Sequence, residues 1–126
     1  MIVSIVTTVP HAEQRYSTIG DYRTDTFGTT HFRVSNMGNP DYEFLTSIHE
    51  QIEAYICKRA GISEDDIDKF DMEWENERIA GDTSEPGDSP EAPYHLEHMF
   101  ATKIEKQLAE KLGVNWNDYE EAINYL

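Results

Sequence analysis

Cys57 is the only cysteine in this 126-residue chain, so no intramolecular disulfide can form. It follows Ile56 in a helical stretch and reads as a small buried hydrophobe. Basic residues are also scarce. Ten Lys and Arg stand against 25 Asp and Glu, for a formal charge of −15. Nucleic-acid binding rests on neutralising phosphate with basic side chains, and this balance has the opposite sign. Direct contact with DNA, RNA or an anionic membrane surface is therefore not expected. Long apolar runs are missing too, and nothing approaches the ~20 residues of a membrane-spanning helix. Residues 2–9 are apolar but lack a basic n-region and run straight into Pro10, unlike a signal peptide. Together these absences set the expectation of a soluble protein of the cytoplasm.

What is present argues for folding. Apolar residues make up 38%, and two Trp, seven Tyr and five Phe are too many aromatics for a disordered chain. The length suits one domain over residues 1–126 with one core, and no internal repeat divides it.

Residues 2–9 are β-branched and read as a strand. Gly20-Asp21 marks a turn. Residues 22–35 then read as a hairpin about Phe27-Gly28-Thr29. Its second arm, His31-Phe32-Arg33-Val34-Ser35, alternates polar and apolar as a half-buried strand does. A first helix is expected over about 41–60, with Gly61 closing it. Its apolar stripe would be Phe44, Leu45, Ile48, Ile52, Tyr55 and Ile56, with His49 and Glu53 at the border of core and solvent. Ser63 caps a second helix that carries Ile67, Phe70 and Trp74 inward. Residues 81–93 (GDTSEPGDSPEAP) form a surface loop. A third helix runs from near Pro93 to Leu112, with a stripe of Leu96, Phe100, Ile104, Leu108 and Leu112. A short fourth helix, over about 116–125, is capped by Asn115. The class is α+β: a small antiparallel N-terminal sheet packed on three to four helices.

The chemistry is concentrated in His49-Glu50-Gln51-Ile52-Glu53. Positions i and i+4 share a helix face, so His49 and Glu53 pair an imidazole with a carboxylate. One further ligand from the third helix would complete a three-residue site. His98 is preferred to His95 because it shares a strip with Ala101 and Glu105. Two imidazoles and a carboxylate are the ligand set of catalytic zinc, with a fourth position left for water. Glu50 would then be the general base toward that water. Glu105 is the reserve fourth ligand, and it would make the site structural instead. His11 and His31 read as ordinary. Neither Ser47 nor Cys57 has a base placed to make it a nucleophile. The acidic segments 71–77 and 117–121 read as solvated helix faces, or as surfaces for a basic partner.

Several segments carry a resemblance. They are Gln14 through Tyr22 (QRYSTIGDY), Val34 through Gly38 (VSNMG), Ile48 through Ala54 (IHEQIEA), Glu85 through Asp88 (EPGD), Ala92-Pro93-Tyr94, His98, Trp116 and Tyr119. Taken together they resemble a family of small, uncharacterised bacteriophage and prophage proteins. That resemblance implies a phage-encoded setting and no particular activity. A more distant similarity, limited to His49-Glu50 and the strand–helix order, is to minimal zincin metallopeptidases. Their motif is His-Glu-x-x-His, whereas the fifth position here is Glu53. The similarity implies a zincin-like arrangement, with the strand before the first helix bordering the site and holding an extended substrate by β-addition.

Two functional expectations follow. One is a zinc-binding, zincin-like protein that hydrolyses peptide or amide bonds of a peptide or protein. The other is a non-enzymatic acidic protein that occupies a basic site on a host or phage protein, as a nucleic-acid mimic or inhibitor would.

Overall fold

The computed structural model describes residues 1–126. Three strands, β1 (Val3–Val9), β2 (Gly20–Thr24) and β3 (Thr29–Ser35), form one sheet in the order β1-β3-β2. Four helices follow: α1 (Pro40–Ala60), α2 (Glu64–Asn76), α3 (His95–Leu112) and α4 (Trp116–Asn124). The class is α+β.

The sheet is mixed rather than antiparallel. β2 and β3 pair antiparallel as the hairpin requires, but β1 runs parallel to β3. The connection from β1 to β2 stays at one end of the sheet and spans a gap one strand wide, which β3 fills. A strand lying between two antiparallel neighbours must be parallel to one of them. Gly20-Asp21, expected as a turn, instead opens β2. With a partner on each side, β3 has no free edge, so substrate addition to this strand is ruled out.

Local chemistry sets the helix ends. The Asn39 side chain accepts from the Asp41 and Tyr42 N–H groups, and Pro40 fits the first turn. Gly61, at φ 77°, closes α1. Ser63 caps α2 through the Asp66 N–H, and Asn115 caps α4 through that of Asp118.

Both long helices present a different face to the interior from the one their apolar stripes suggest. α1 buries Leu45, His49, Glu53 and Cys57, a run at i, i+4, i+8 and i+12. α3 buries His98, Ala101, Glu105 and Ala109. Phe44, Tyr55, Leu96 and Phe100 are exposed. The interior is thus a sandwich of kinds. One apolar cluster joins Tyr22, Phe32, Cys57, Ile67, Ala92 and Tyr94; another joins Leu45, Ala109 and Tyr119. Cys57 and Tyr94 share one cluster while Leu45 and Ala109 share the other, so α1 and α3 run antiparallel. His49, Glu53, His98 and Glu105 lie between the two clusters. Tyr119 anchors α4 to this pair.

α2 turns Ile67 inward, with Phe70 and Trp74 half-buried. Asp71 is buried, not part of a solvated face. It accepts hydrogen bonds from the Tyr16 hydroxyl (3.0 Å) and the Tyr94 hydroxyl. Residues 81–93 contain one short 3-10 turn, Pro86–Asp88. No helix is long and apolar enough to cross a membrane.

Candidate metal centre

Four-residue spacing on α1 points His49 and Glu53 into the gap between α1 and α3, where His98 meets them. His49 Nε2 is 3.0 Å from Glu53 Oε2 and 3.2 Å from His98 Nδ1, and the last two atoms are 2.9 Å apart. All three residues are buried. Zinc bonds of about 2.0–2.1 Å in a tetrahedron separate neighbouring ligand atoms by about 3.3 Å. The triangle therefore has the size of one tetrahedral face, and its atoms are the types zinc takes.

The outer nitrogen of each imidazole is also held. His49 Nδ1 lies 2.8 Å from Glu105 Oε1. Glu105 Oε2 accepts from the Tyr119 hydroxyl at 2.6 Å, and that hydroxyl is 2.7 Å from Thr46 Oγ1. Glu105 thus orients His49 rather than standing as a fourth ligand, because it lies on the far side of the ring. His98 Nε2 lies 3.1 Å from Asp88 Oδ1 and 3.2 Å from Glu85 Oε2. Asp88 Oδ2 accepts from the Glu85 N–H, one half of a capping box that holds this turn. In metal sites, a carboxylate placed behind an imidazole in this way fixes its tautomer and raises its basicity.

The turn packs so closely on His98 that Gly87 has no room for a side chain. A Cβ there would fall within 3 Å of three His98 ring atoms. His95 lies outside the triad, and its Nδ1 bonds the Gly87 carbonyl at 2.9 Å. Glycine at position 20 has a similar cause. A Cβ there would meet Glu50 Cγ at 2.7 Å. Glu50 is half-buried and lines the same cavity as the triad. His11 also reaches this cavity and bonds Ser35 Oγ at 2.9 Å, whereas His31 pairs with Asp25 on the surface.

Protonation reflects this crowding. Burial pulls the His49 imidazolium down, but hydrogen bonds to Glu105 and Glu53 win and hold it well above its usual range. His98 is raised likewise: burial opposes, and Asp88, Glu53 and Glu85 prevail. Burial would lift Glu53, yet the two histidines hold it down near 2. Glu50 moves the other way, raised by burial and then by the Glu53 charge. The cluster thus carries cationic protons that a divalent ion can replace.

The cavity has a volume of about 230 Å³ and is walled by the start of β2, by α2 and by residues 82–87. Tyr22 reaches it from β2. Its hydroxyl is buried with no hydrogen-bond partner, although it approaches the Cys57 thiol and lies within the field of Glu53 and Glu50. Orphaned polar atoms of this kind are rare and mark strain, catalysis or a missing ligand.

No family model, curated protein or solved structure matches the chain. The site is therefore read from its own geometry. The sequence singled out His49, Glu53, His98 and Glu50, and the fold brings all four to one cavity. It left Tyr22, Tyr119 and Gly87 without a role. Glu85 and Asp88 stood out only through the resemblance, since no spacing ties a loop carboxylate to a histidine ten residues on.

Proposed function

We propose that the chain is a zinc-dependent hydrolase of peptide or amide bonds, with His49, Glu53 and His98 as the metal ligands. The observation that carries this reading is the triangle of ligand atoms with a carboxylate behind each imidazole. Hydrogen bonding alone would not require two histidines and a glutamate to be buried together with both outer nitrogens orientated. Zinc held there would polarise a carbonyl and lower the pKa of water. Glu50 is the general base. Burial and the Glu53 charge raise its carboxyl, making it a stronger base than a solvated one, to take a proton from the attacking water and return it to the leaving amine. The Tyr22 hydroxyl supplies a donor to the oxygen that gains charge. An open fourth position is favoured over a closed structural site because Glu105 is occupied on the far side of His49. The reading places the protein in the cytoplasm, and in the host's if it is phage-encoded.

Elemental analysis of untagged protein tests ligation, with about one zinc per chain expected. His49→Ala should lose it. Glu50→Gln should retain the metal and the fold while hydrolysis falls by about 10²–10⁴-fold. Tyr22→Phe should lower turnover without lowering stability, since it removes an unpaired buried hydroxyl. A Glu50→Gln variant as active as wild type would sink the mechanism, and metal-free protein would sink the site.

A further inference from the structure

The cavity beside the triad has a charge pattern that bears on what it takes. Nine carboxyl groups line it against a single arginine, Arg78. Part of this excess is cancelled within the wall. Arg15 bonds Asp21 at 2.6 Å and Asp68 at 3.1 Å. Arg78 is pinned by Glu75 at 2.8 Å and lies over the Trp74 ring at 4.4 Å, so it is not free for an anion. Asp71 is pushed up to about 7, chiefly by burial, and takes both its hydrogen bonds from tyrosines. Apart from Glu53 and Glu50, three carboxylates remain without an ion pair to Lys or Arg. Glu64 accepts only from Thr24, through its N–H at 2.9 Å and its hydroxyl at 2.6 Å. Asp82 accepts from Ser84. Glu85 has the shared contact with His98 and its place in the capping box with Asp88.

These groups follow a direction. Glu64, Asp68, Asp71 and Glu75 recur every three or four residues and form one face of α2 along the cavity. Asp82 and Glu85 form its rim. The triad and Glu50 sit on the opposite wall, on α1 and α3. Aromatic faces accompany the acids, because Tyr16, Tyr22 and Tyr94 all line the space. Carboxylates beside aromatic rings make a receptacle for a guanidinium or ammonium group. The second observation is Tyr22. Tyr22 lines this cavity, and its buried hydroxyl has no hydrogen-bond partner, with only the Cys57 thiol close by, which leaves it a polar group for an incoming one to meet.

We propose that the cavity selects a cationic peptide segment, with an arginine or lysine side chain along the acidic face of α2 and the neighbouring amide at the triad. This rests on the hydrolase reading for the fate of that amide, but the recognition uses groups that are not metal ligands. An anionic substrate would meet uncompensated carboxylates in a space with few cations, which excludes it as strongly as attraction admits the basic one.

The test is calorimetric binding to the zinc-loaded and the metal-free protein. The probes are three capped hexapeptides, Ala-Ala-Arg-Arg-Ala-Ala and its Ala-Ala and Glu-Glu counterparts, together with spermidine. The arginine peptide should bind at least tenfold tighter than the alanine peptide, and the glutamate peptide should not bind. Glu64→Gln combined with Asp82→Asn should reduce the arginine advantage by about tenfold. Glu110→Gln with Glu121→Gln removes as much charge elsewhere and should leave the advantage unchanged. Equal binding of the arginine and alanine peptides would overturn the proposal. So would an equal loss in both double variants, which would trace the preference to overall charge. Spermidine binding as tightly as the arginine peptide would overturn the peptide assignment in favour of a free polyamine. Zinc content measured on the same samples keeps the outcomes apart. Arginine preference in protein that takes up no zinc supports the cavity and refutes the hydrolase, whereas zinc uptake without that preference does the reverse.

Discussion

At the scale of single residues, the site depends on groups that never touch its centre. Glu105 holds His49, Tyr119 holds Glu105, and the turn at Gly87 presses on His98. Changing these should weaken metal binding while the three ligands stay in place. Glu105→Gln keeps the shape but removes the charge facing His49 Nδ1, and a zinc competition titration should show a 10–100-fold weaker affinity. Gly87→Ala should have a comparable effect by a different route. Its Cβ cannot coexist with the His98 ring as placed, so either the turn or the imidazole must shift. Unchanged zinc affinity in both variants would mean that the outer contacts do not position the ligands.

At the scale of elements, capping residues located most helix ends to within a residue or two, and periodicity gave helix orientation only in part. The Asn39 cap of α1 was not read in the sequence, but capping by Ser63 and Asn115 and closure by Gly61 were legible because they depend on neighbours in sequence. The inward face was not. A stripe of large apolar residues normally marks the interior, but α1 and α3 meet through His49, Glu53, His98 and Glu105, leaving Phe100 half-exposed. Polar side chains that satisfy one another across an interface displace the apolar stripe, and no single helix carries that information. The pairing of β1 with β3 was likewise hidden, since it joins segments more than twenty residues apart. The difference is measurable by denaturant unfolding. Leu45→Ala, at a site with no exposure, should destabilise the protein by about 2–5 kcal/mol. Phe100→Ser, on the outward stripe, should change stability far less, within about 1 kcal/mol. A Phe100 effect as large as that of Leu45 would show that the outer stripe is covered in solution.

At the scale of the whole molecule, the buried charges set the pH range of the metal-free fold. Glu53, held near 2 against an ordinary 4.5, stabilises the fold above about pH 4.5 and loses that contribution as pH falls toward 2. The signs are reversed for the two histidines. Raised above the ordinary 6.5, they stabilise fully below that pH and progressively less as pH rises through their folded values. Asp71, pushed up to about 7, also disfavours folding as pH climbs from its ordinary 3.8. Thermal unfolding of the metal-free protein should therefore peak near pH 4.5–6 and decline toward pH 8. Zinc bound as proposed would replace the imidazole protons, so its stabilising effect should grow over the same alkaline range. A metal-free protein equally stable at pH 5.5 and pH 8 would contradict the cluster's protonation.

β1 gives the molecule a colloidal character. One of its sides is an unpaired edge on which every second residue presents free backbone groups, and residues 2–9 contain no charged side chain to deter a neighbour. Six of its seven residues are exposed. Repulsion between particles each bearing −15 is what keeps such edges apart, and it vanishes near the isoelectric point of about 4.5 or under high salt. The acidity on which the proposed cation preference rests is also what keeps the protein dispersed, so the shelf life of a concentrated solution is governed by ionic strength and by distance from that pH.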